Sequence, residues 1–103
     1  MDSQVLKAVL ITKGRRSGRE HAVWLRAVEY EGKMYFSRRT QNADWMKNAM
    51  VHSTVKVVID DKTKVGTARF VEDDVLSKKI SELKYPGEER AQETRFVLQV
   101  SFD

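Results

Sequence analysis

The sequence predicts a mainly β (α+β) fold, in which six short antiparallel strands form a small barrel and two short helices are inserted between them. Two observations support this prediction. Six segments show the alternation of apolar and polar residues that is typical of strands, and two others show helical spacing. We expect the 103 residues to form one domain, 1–103, around a single core, and the strands to close on each other so that no sheet edge stays open.

The first part of the chain is expected to hold three consecutive strands. Val5–Thr12 is apolar on both faces, which is typical of a central strand buried on much of both sides. Val23–Tyr30 follows a basic loop. Glu31-Gly32 is a two-residue hairpin signal, and Lys33–Ser37 is the returning strand.

A short helix is predicted after the first hairpin. In Asn42–Val51, two apolar pairs recur at four-residue intervals, Trp45 with Ala49 and Met46 with Met50. The asparagine at the start of this segment is a candidate N-cap. We therefore expect one helix that presents these apolar residues to the core.

A second hairpin is predicted next. Thr54–Ile59 is rich in β-branched residues, Asp60–Lys62 provides a turn, and Val65–Val71 is the antiparallel partner. Gly66 is a candidate β-bulge, because a glycine inside a strand often marks one.

The last part of the chain predicts a helix and a strand. Asp73 and Asp74 are candidate caps, and Tyr85–Gly87 ends the helix. Phe96–Phe102 alternates as a final strand. The helix residues expected to face the sheet are apolar: Val75, Leu76, Ile80 and Leu83.

The connection between the first two strands is the strongest functional signal. Ile11–His21 contains several cations, a hydroxyl and two glycines, Gly14 and Gly18. These glycines permit backbone conformations in which N–H groups turn inward around an anion, while Arg15 and Arg16 supply forked donors. A phosphate or carboxylate site is one interpretation, and a solvated hairpin loop is the other.

The composition limits the functional classes. The chain has no cysteine and two histidines without a ligand pattern around them, so we expect no metal site. A net charge of +4 favours anionic partners. Neither a signal peptide nor an apolar run long enough to span a bilayer is present, and we expect a cytoplasmic protein.

Several of these segments together resemble a known family. The basic loop Ile11–Gly18, the helix residues Trp45–Asn48, and the strands Val55–Val57 and Ala68–Val71 are similar to the deazaflavin-dependent nitroreductase branch of the pyridoxamine-phosphate-oxidase-like, FMN-binding split β-barrels. The turn Lys84–Gly87 also falls in the family's order. The resemblance implies a six-stranded split β-barrel over nearly the whole chain.

The resemblance further implies a flavin-type cofactor, either flavin mononucleotide (FMN) or a deazaflavin coenzyme, whose phosphate-bearing tail contacts the basic loop. The cofactor ring would transfer hydride or electrons to a quinone-like or nitro acceptor, so no catalytic side chain is expected. In relatives of the wider superfamily the cofactor groove is commonly shared across a two-fold dimer, and the small size of this chain agrees with a homodimer. The residues that the resemblance assigns to cofactor binding are Lys13, Gly14, Arg15, Arg16, Ser17, Gly18, His21, Ser37, Arg39, Trp45 and Asn48.

The chain departs from the family pattern at three places. His21 stands where relatives have an arginine, and a neutral imidazole still donates one hydrogen bond. Trp24 stands where they have a proline. Arg38–Gln41 replaces a glycine-rich turn, so side chains rather than backbone amides would approach the ligand there.

Structural roles remain open for these residues. Trp45 could be a core residue, His21 a strand-start residue without a role, and Ser37 and Arg39 parts of a solvated turn. The main alternative function is a cofactor-free binding module with the same fold. Nucleic-acid binding, with exposed aromatics as a stacking surface (Trp24, Tyr30 and Tyr35), is disfavoured because acidic residues occur in most connections.

Overall fold

Six antiparallel strands close into a barrel in the order β1-β2-β3-β6-β5-β4 in the computed structural model, which describes residues 3–39 and 42–102. This confirms the predicted mainly β barrel with two helices. The element bounds are β1 Ser3–Lys13, β2 Glu20–Tyr30, β3 Lys33–Arg38, α1 Asp44–Val51, β4 Thr54–Ile59, β5 Lys62–Phe70, α2 Asp74–Lys84, a 3-10 helix Glu89–Gln92, and β6 Phe96–Phe102.

The first hairpin is longer than predicted. Its register is continuous from the pair Ser3 and Tyr30 to the pair Lys13 and Glu20, so the ladder extends into the residues that were expected to be loop. The predicted burial of both faces of β1 holds only in part. Leu10 points into the barrel and is fully buried. On the outer face Val9 and Ile11 are half-buried, whereas Val5 is 36% exposed.

The two tight turns have the backbone that two-residue hairpins require. Glu31 and Gly32 have positive φ angles of 52° and 79°, and Asp60 and Asp61 have 49° and 67°. Consecutive left-handed residues match the twist of the flanking strands. Lys62 therefore belongs to β5 rather than to the turn, and this strand starts earlier than predicted.

Gly66 lies in regular register, opposite Val55 on β4 and Phe102 on β6, so the predicted bulge is wrong. A Cβ atom on Gly66 would lie 2.6 Å from Cγ1 of Val100 and 2.8 Å from the carbonyl oxygen of Ser101. The glycine is therefore explained by the close approach of β6.

We expect Gly66→Ala to lower the free energy of unfolding by about 1–3 kcal/mol, because the added methyl overpacks against backbone as well as side chain. Urea denaturation measures this. Thr67→Ser, at the exposed neighbouring position, is the control and should change stability by less than about 0.5 kcal/mol. An unchanged midpoint for Gly66→Ala would show that β6 is not held against β5 at this distance.

The core has two parts, one on each side of the sheet. The barrel interior contains fully buried Leu10, Phe36 and Leu98, and α1 covers one end with Trp45 and Met46. A smaller cluster lies between α2 and the outer face of the sheet; it contains Val28, Tyr35, Val71, Ile80 and Val97.

The helix predictions are correct in position and partly wrong in detail. Asp73 caps α2, since its Oδ1 accepts hydrogen bonds from the N–H groups of Val75 and Leu76 at 2.9 and 3.2 Å. Val75 itself is 80% exposed and Met50 is 53% exposed, so neither faces the core as predicted. The N-cap of α1 is Ala43, not Asn42.

The 3-10 helix after α2 was not predicted.

Among the described residues, no helix is long and apolar enough to cross a membrane.

Candidate functional site

The basic loop between β1 and β2 is folded tightly on itself. The N–H of Gly14 donates to the carbonyl of Arg19 at 2.7 Å, and the N–H of Gly18 donates to the carbonyl of Gly14 at 2.9 Å. Gly18 has a φ of +72°, which is unfavourable for other residues. These bonds give the loop a defined backbone structure.

Ser17 and His21 converge above Gly14. A Cβ atom on Gly14 would lie 2.7 Å from Oγ of Ser17 and 2.9 Å from Nε2 of His21. The absence of a side chain at this position therefore lets a hydroxyl and an imidazole approach the same point. Both groups can donate a hydrogen bond to an anion.

The loop and α1 enclose a groove of about 350 Å³ at one end of the barrel, which we call the loop groove. Seven of the predicted cofactor residues line it: Gly14, Arg15, Arg16, Ser17, His21, Trp45 and Asn48. Three further residues were not predicted: Thr12, Val23 and Asp44. Gly18 lies in the same loop and Lys13 lies at its base, at the end of β1. Neither residue lines the groove.

Arg15 is held by the protein itself. Its backbone N–H and its Nη1 donate to Oδ1 of Asn48 at 3.2 and 2.8 Å, and its Nη2 lies 3.4 Å from Oδ1 of Asp44. Asn48 in turn donates to Oγ1 of Thr12, at 3.5 Å, inside the barrel end. Arg15 and Asn48 thus tie the loop to α1.

Arg16 differs from Arg15 in its partners. It lines the groove and is exposed, and within residues 3–39 and 42–102 no carboxylate pairs with it. Because Asp44 offsets the charge of Arg15, Arg16 supplies the uncompensated positive charge of this groove. The resemblance assigned both arginines to the cofactor tail, and the structure shows that they have different partners.

Asp44 and Thr12 were missed, although a signal was present in the sequence. Asp44 lies four residues before Asn48, so both side chains project from one face of α1. Thr12 falls on the inward face of β1 with Leu10, where a polar side chain needs a partner.

Trp45 belongs to the core and also lines the loop groove. It is 8% exposed and packs edge-on against Phe36 with ring centroids 6.3 Å apart, as a core residue does. It also lines the loop groove. It therefore forms a rigid aromatic wall whose position is set by the core.

Ser37 and Arg39 lie elsewhere, in a second groove of about 580 Å³ on the outer face of β2 and β3, which we call the Tyr85 groove. Its lining residues are Trp24, Leu25, Arg26, Ser37, Arg38, Arg39, Lys84, Tyr85, Arg90 and Arg95. The structure thus does not bring Ser37 and Arg39 to the loop groove. Two residues of the predicted turn Arg38–Gln41, Thr40 and Gln41, lie outside the described residues.

Lys84 and Tyr85, which both line the Tyr85 groove, have perturbed pKa values. Burial lowers the pKa of Lys84, partly opposed by Tyr85. Burial acts to raise the pKa of Tyr85, but Lys84, Arg95 and Arg90 together outweigh it, and the net pKa is lowered. These positive charges favour the phenolate.

Of the three aromatic residues considered for nucleic-acid binding, one is buried. Tyr35 is 4% exposed and its hydroxyl accepts a hydrogen bond from Gln99 at 3.0 Å. Trp24 is 73% exposed and Tyr30 is half-buried. Within the described part of the chain, no cluster of three or more histidine, cysteine or acidic side chains could hold a metal.

No protein-family model and no curated protein matches the sequence. Solved structures do match. An F420-H2-dependent reductase, FDR-A, is 25% identical, with 92% of this chain and 93% of that chain covered and a TM-score of 0.72. A protein described as a domain-swapped dimer is also 25% identical, with 92% and 79% covered and a TM-score of 0.73.

A putative pyridoxamine 5'-phosphate oxidase from Listeria innocua aligns over 94% of this chain and 83% of its own, with 17% identity and a TM-score of 0.75. The chain has the split-barrel fold of F420-dependent reductases and pyridoxamine-phosphate-oxidase-like proteins. The fold implied by the resemblance is thereby confirmed. In this split barrel the loop groove lies between the β1–β2 loop and α1.

Proposed function

We propose that this split barrel is an oxidoreductase that binds FMN or a deazaflavin coenzyme and passes hydride or electrons to a quinone-like or nitro acceptor. The observation that carries the proposal is the loop groove, which Arg16, Ser17 and His21 line together. Among the described residues, no carboxylate pairs with this arginine. The similarity to an F420-H2-dependent reductase supports it.

The residues of the loop groove fit the phosphate-bearing end of such a cofactor. Arg16 offers a forked donor, and Ser17 and His21 offer single donors above Gly14. Arg15, held by Asn48, fixes the loop in the conformation that presents these groups. When bound, the cofactor ring itself would supply the redox chemistry, and the protein would supply position and charge.

Trp45 and Val23 complete the site on its apolar side. Trp45 is fixed by Phe36 in the core, and Val23 points into the barrel end. Together they exclude water from one wall of the groove and offer an apolar surface to a planar ring. Lys13, the last residue of β1, adds a positive charge where the β1–β2 loop begins.

The activity is tested by mixing the protein with reduced deazaflavin coenzyme or reduced FMN and following reoxidation anaerobically after addition of menadione or a nitroaromatic compound. Reoxidation that is proportional to protein concentration supports the proposal. A rate equal to that without protein, for a protein that binds the cofactor, would favour the alternative of a binding module with the same fold.

We also propose that the protein is cytoplasmic and forms a homodimer. A solved structure with 25% identity is described as a domain-swapped dimer, and the loop groove is small for a complete cofactor, so a second copy would extend it. Sedimentation equilibrium should give twice the chain mass of 11.9 kDa. A mass of one chain at all concentrations would exclude the dimer.

A further inference from the structure

A cavity of about 600 Å³ lies at the end of the barrel opposite α1, and we call it the Lys64 cavity. The loop groove and α1 are at the end where β1 finishes, whereas this cavity is at the end where β1 and β5 begin. The residues of its wall that matter for its chemistry are Leu6, Glu29, Val57, Ile59, Lys62 and Lys64.

The strand register places charged side chains at inward-facing positions of this end. On β5, Lys64 lies opposite Val57 of β4, and Lys62 lies opposite the inward residue Ile59. Residues directly opposite each other in antiparallel strands project to the same face. Because Val57 is fully buried in the barrel core, both lysines belong to the inward face of β5. Glu29 also lines the cavity, from the end of β2.

The floor of the Lys64 cavity is apolar. Val57 is fully buried, and Leu6 and Ile59 are half-buried and pack against the barrel core. At the rim, Nζ of Lys64 lies 5.4 Å from the ring centroid of Phe102, a contact that favours this position of the ammonium. An apolar floor below a few charged groups is the usual composition of a small-molecule site.

Charges of both signs line the cavity without pairing with each other. Lys62 and Lys64 share it with Glu29, and Lys7 and Asp60 add one charge of each sign. Within residues 3–39 and 42–102, none of these five side chains forms an ion pair. The ammonium and carboxylate groups are therefore separated across the cavity, and a ligand that carries both charges can pair with each of them at once.

We propose that the Lys64 cavity binds a small zwitterion with an apolar side chain, which is the chemistry of an apolar α-amino acid. Its carboxylate accepts hydrogen bonds from the ammonium groups of Lys62 and Lys64, and its ammonium donates to Glu29. Its side chain lies against Leu6 and Ile59, which removes apolar surface from water.

The test is a titration of the ¹⁵N-labelled full chain with L-leucine, isocaproate and isopentylamine, followed by amide NMR at neutral pH and constant ionic strength. Isocaproate lacks the ammonium group of leucine, and isopentylamine lacks its carboxylate. We expect saturable shifts of the amides of Leu6, Ile59 and Lys64 with leucine. Each of the other compounds should bind at least tenfold more weakly, because one charge-assisted pair is lost.

Two outcomes of this titration would overturn the proposal. Shifts that rise linearly with leucine concentration would exclude a defined site. Equal affinity for leucine and for either of the singly charged compounds would show that the cavity does not recognise both charges.

Glu29→Gln removes the proposed partner of the ligand's ammonium and nearly keeps the shape of the side chain. We expect leucine affinity to fall at least tenfold, whereas isocaproate, which has no ammonium, should bind at least as tightly as it does to the wild type. Glu82→Gln, at an exposed position of α2, removes the same charge and should bind leucine as the wild type does. Equal losses for leucine and isocaproate in Glu29→Gln would contradict the assigned pairing.

The double variant Lys62→Gln/Lys64→Gln removes both proposed partners of the carboxylate. Leucine affinity should fall at least tenfold, whereas isopentylamine should bind no more weakly than to the wild type. Lys78→Gln/Lys79→Gln removes two exposed charges of α2 and is the control. Since all four lysines are exposed, both variants should keep the dispersed amide spectrum of the folded chain. Unchanged leucine affinity in the first variant would refute the proposed site.

This site is independent of the proposed cofactor. In the part of the chain that the structure describes, the residues that line the Lys64 cavity and the loop groove do not overlap. Arg16→Ala should therefore keep the full response to leucine, even where it loses cofactor. Loss of the leucine response in that variant would contradict the independence of the two sites.

Discussion

Arg16→Ala is expected to weaken the binding of FMN or deazaflavin coenzyme at least tenfold. Arg16 is the cation of the loop groove that has no carboxylate partner in the described ranges, so its full charge is available to a phosphate. Loss of one charge-assisted hydrogen bond costs about 1.5–3 kcal/mol, which corresponds to roughly tenfold or more in affinity. Equilibrium fluorescence titration measures the effect.

Arg19→Ala is the matched control for this prediction. Arg19 lies in the same loop and carries the same charge, but its side chain does not line the groove, and only its backbone takes part in the loop's hydrogen bonds. We expect its effect on affinity to be small and to disappear at high salt. Equal losses in Arg16→Ala and Arg19→Ala would indicate general electrostatic attraction rather than a defined site.

Replacing both Arg15 and Arg16 with alanine should reduce affinity further, for two different reasons. Replacing Arg16 removes a proposed ligand of the cofactor. Replacing Arg15 releases the loop from Asn48 and Asp44. Arg15→Ala alone should therefore alter the amide NMR signals of the loop in the absence of any cofactor, while Arg16→Ala should leave them in place. Identical spectra for the two single variants would contradict this division of roles.

Asn48→Ala is expected to lower the free energy of unfolding by about 1–3 kcal/mol, because it removes a buried amide that joins three elements. Asn48 is 4% exposed, accepts two hydrogen bonds from Arg15 and donates one to Thr12. Cofactor affinity should fall as well, since Arg15 then loses its position. Urea denaturation and the same fluorescence titration measure the two effects.

Met50→Ala is the control for Asn48→Ala. Met50 lies on α1 but is 53% exposed, so its truncation should change stability by less than about 0.5 kcal/mol. If Asn48→Ala were as stable as this control, the hydrogen bonds from the loop to α1 would not hold the loop in solution.

The strands were predictable because local pattern determines them. β4 and β6 have the predicted bounds, and the Glu31-Gly32 turn has the predicted backbone. The errors arise where tertiary contact decides. Val75 has the spacing of a core residue, but α2 presents only one face to the sheet, and Gly66 is explained by the approach of β6 rather than by a bulge.

The site was predictable in part for the same reason. The loop residues Gly14–Ser17 are consecutive, and the resemblance placed Trp45 and Asn48 beside them. The different roles of Arg15 and Arg16 could not be predicted, since they depend on which side chain points toward α1. Two residues that line the Tyr85 groove, Ser37 and Arg39, were predicted as site residues, but the groove itself could not be predicted. Its lining residues come from β2, β3, α2 and the segment before β6, which only the tertiary fold brings together.

The most direct test of the account is a fluorescence titration of the purified wild-type protein with FMN and, separately, with the deazaflavin coenzyme, repeated on Arg16→Ala and Arg19→Ala. We predict saturable binding of one of the two cofactors, weakened at least tenfold in Arg16→Ala and nearly unchanged in Arg19→Ala. Absence of saturable binding of either cofactor to the wild type would contradict the proposed function and favour a cofactor-free binding module with the split-barrel fold.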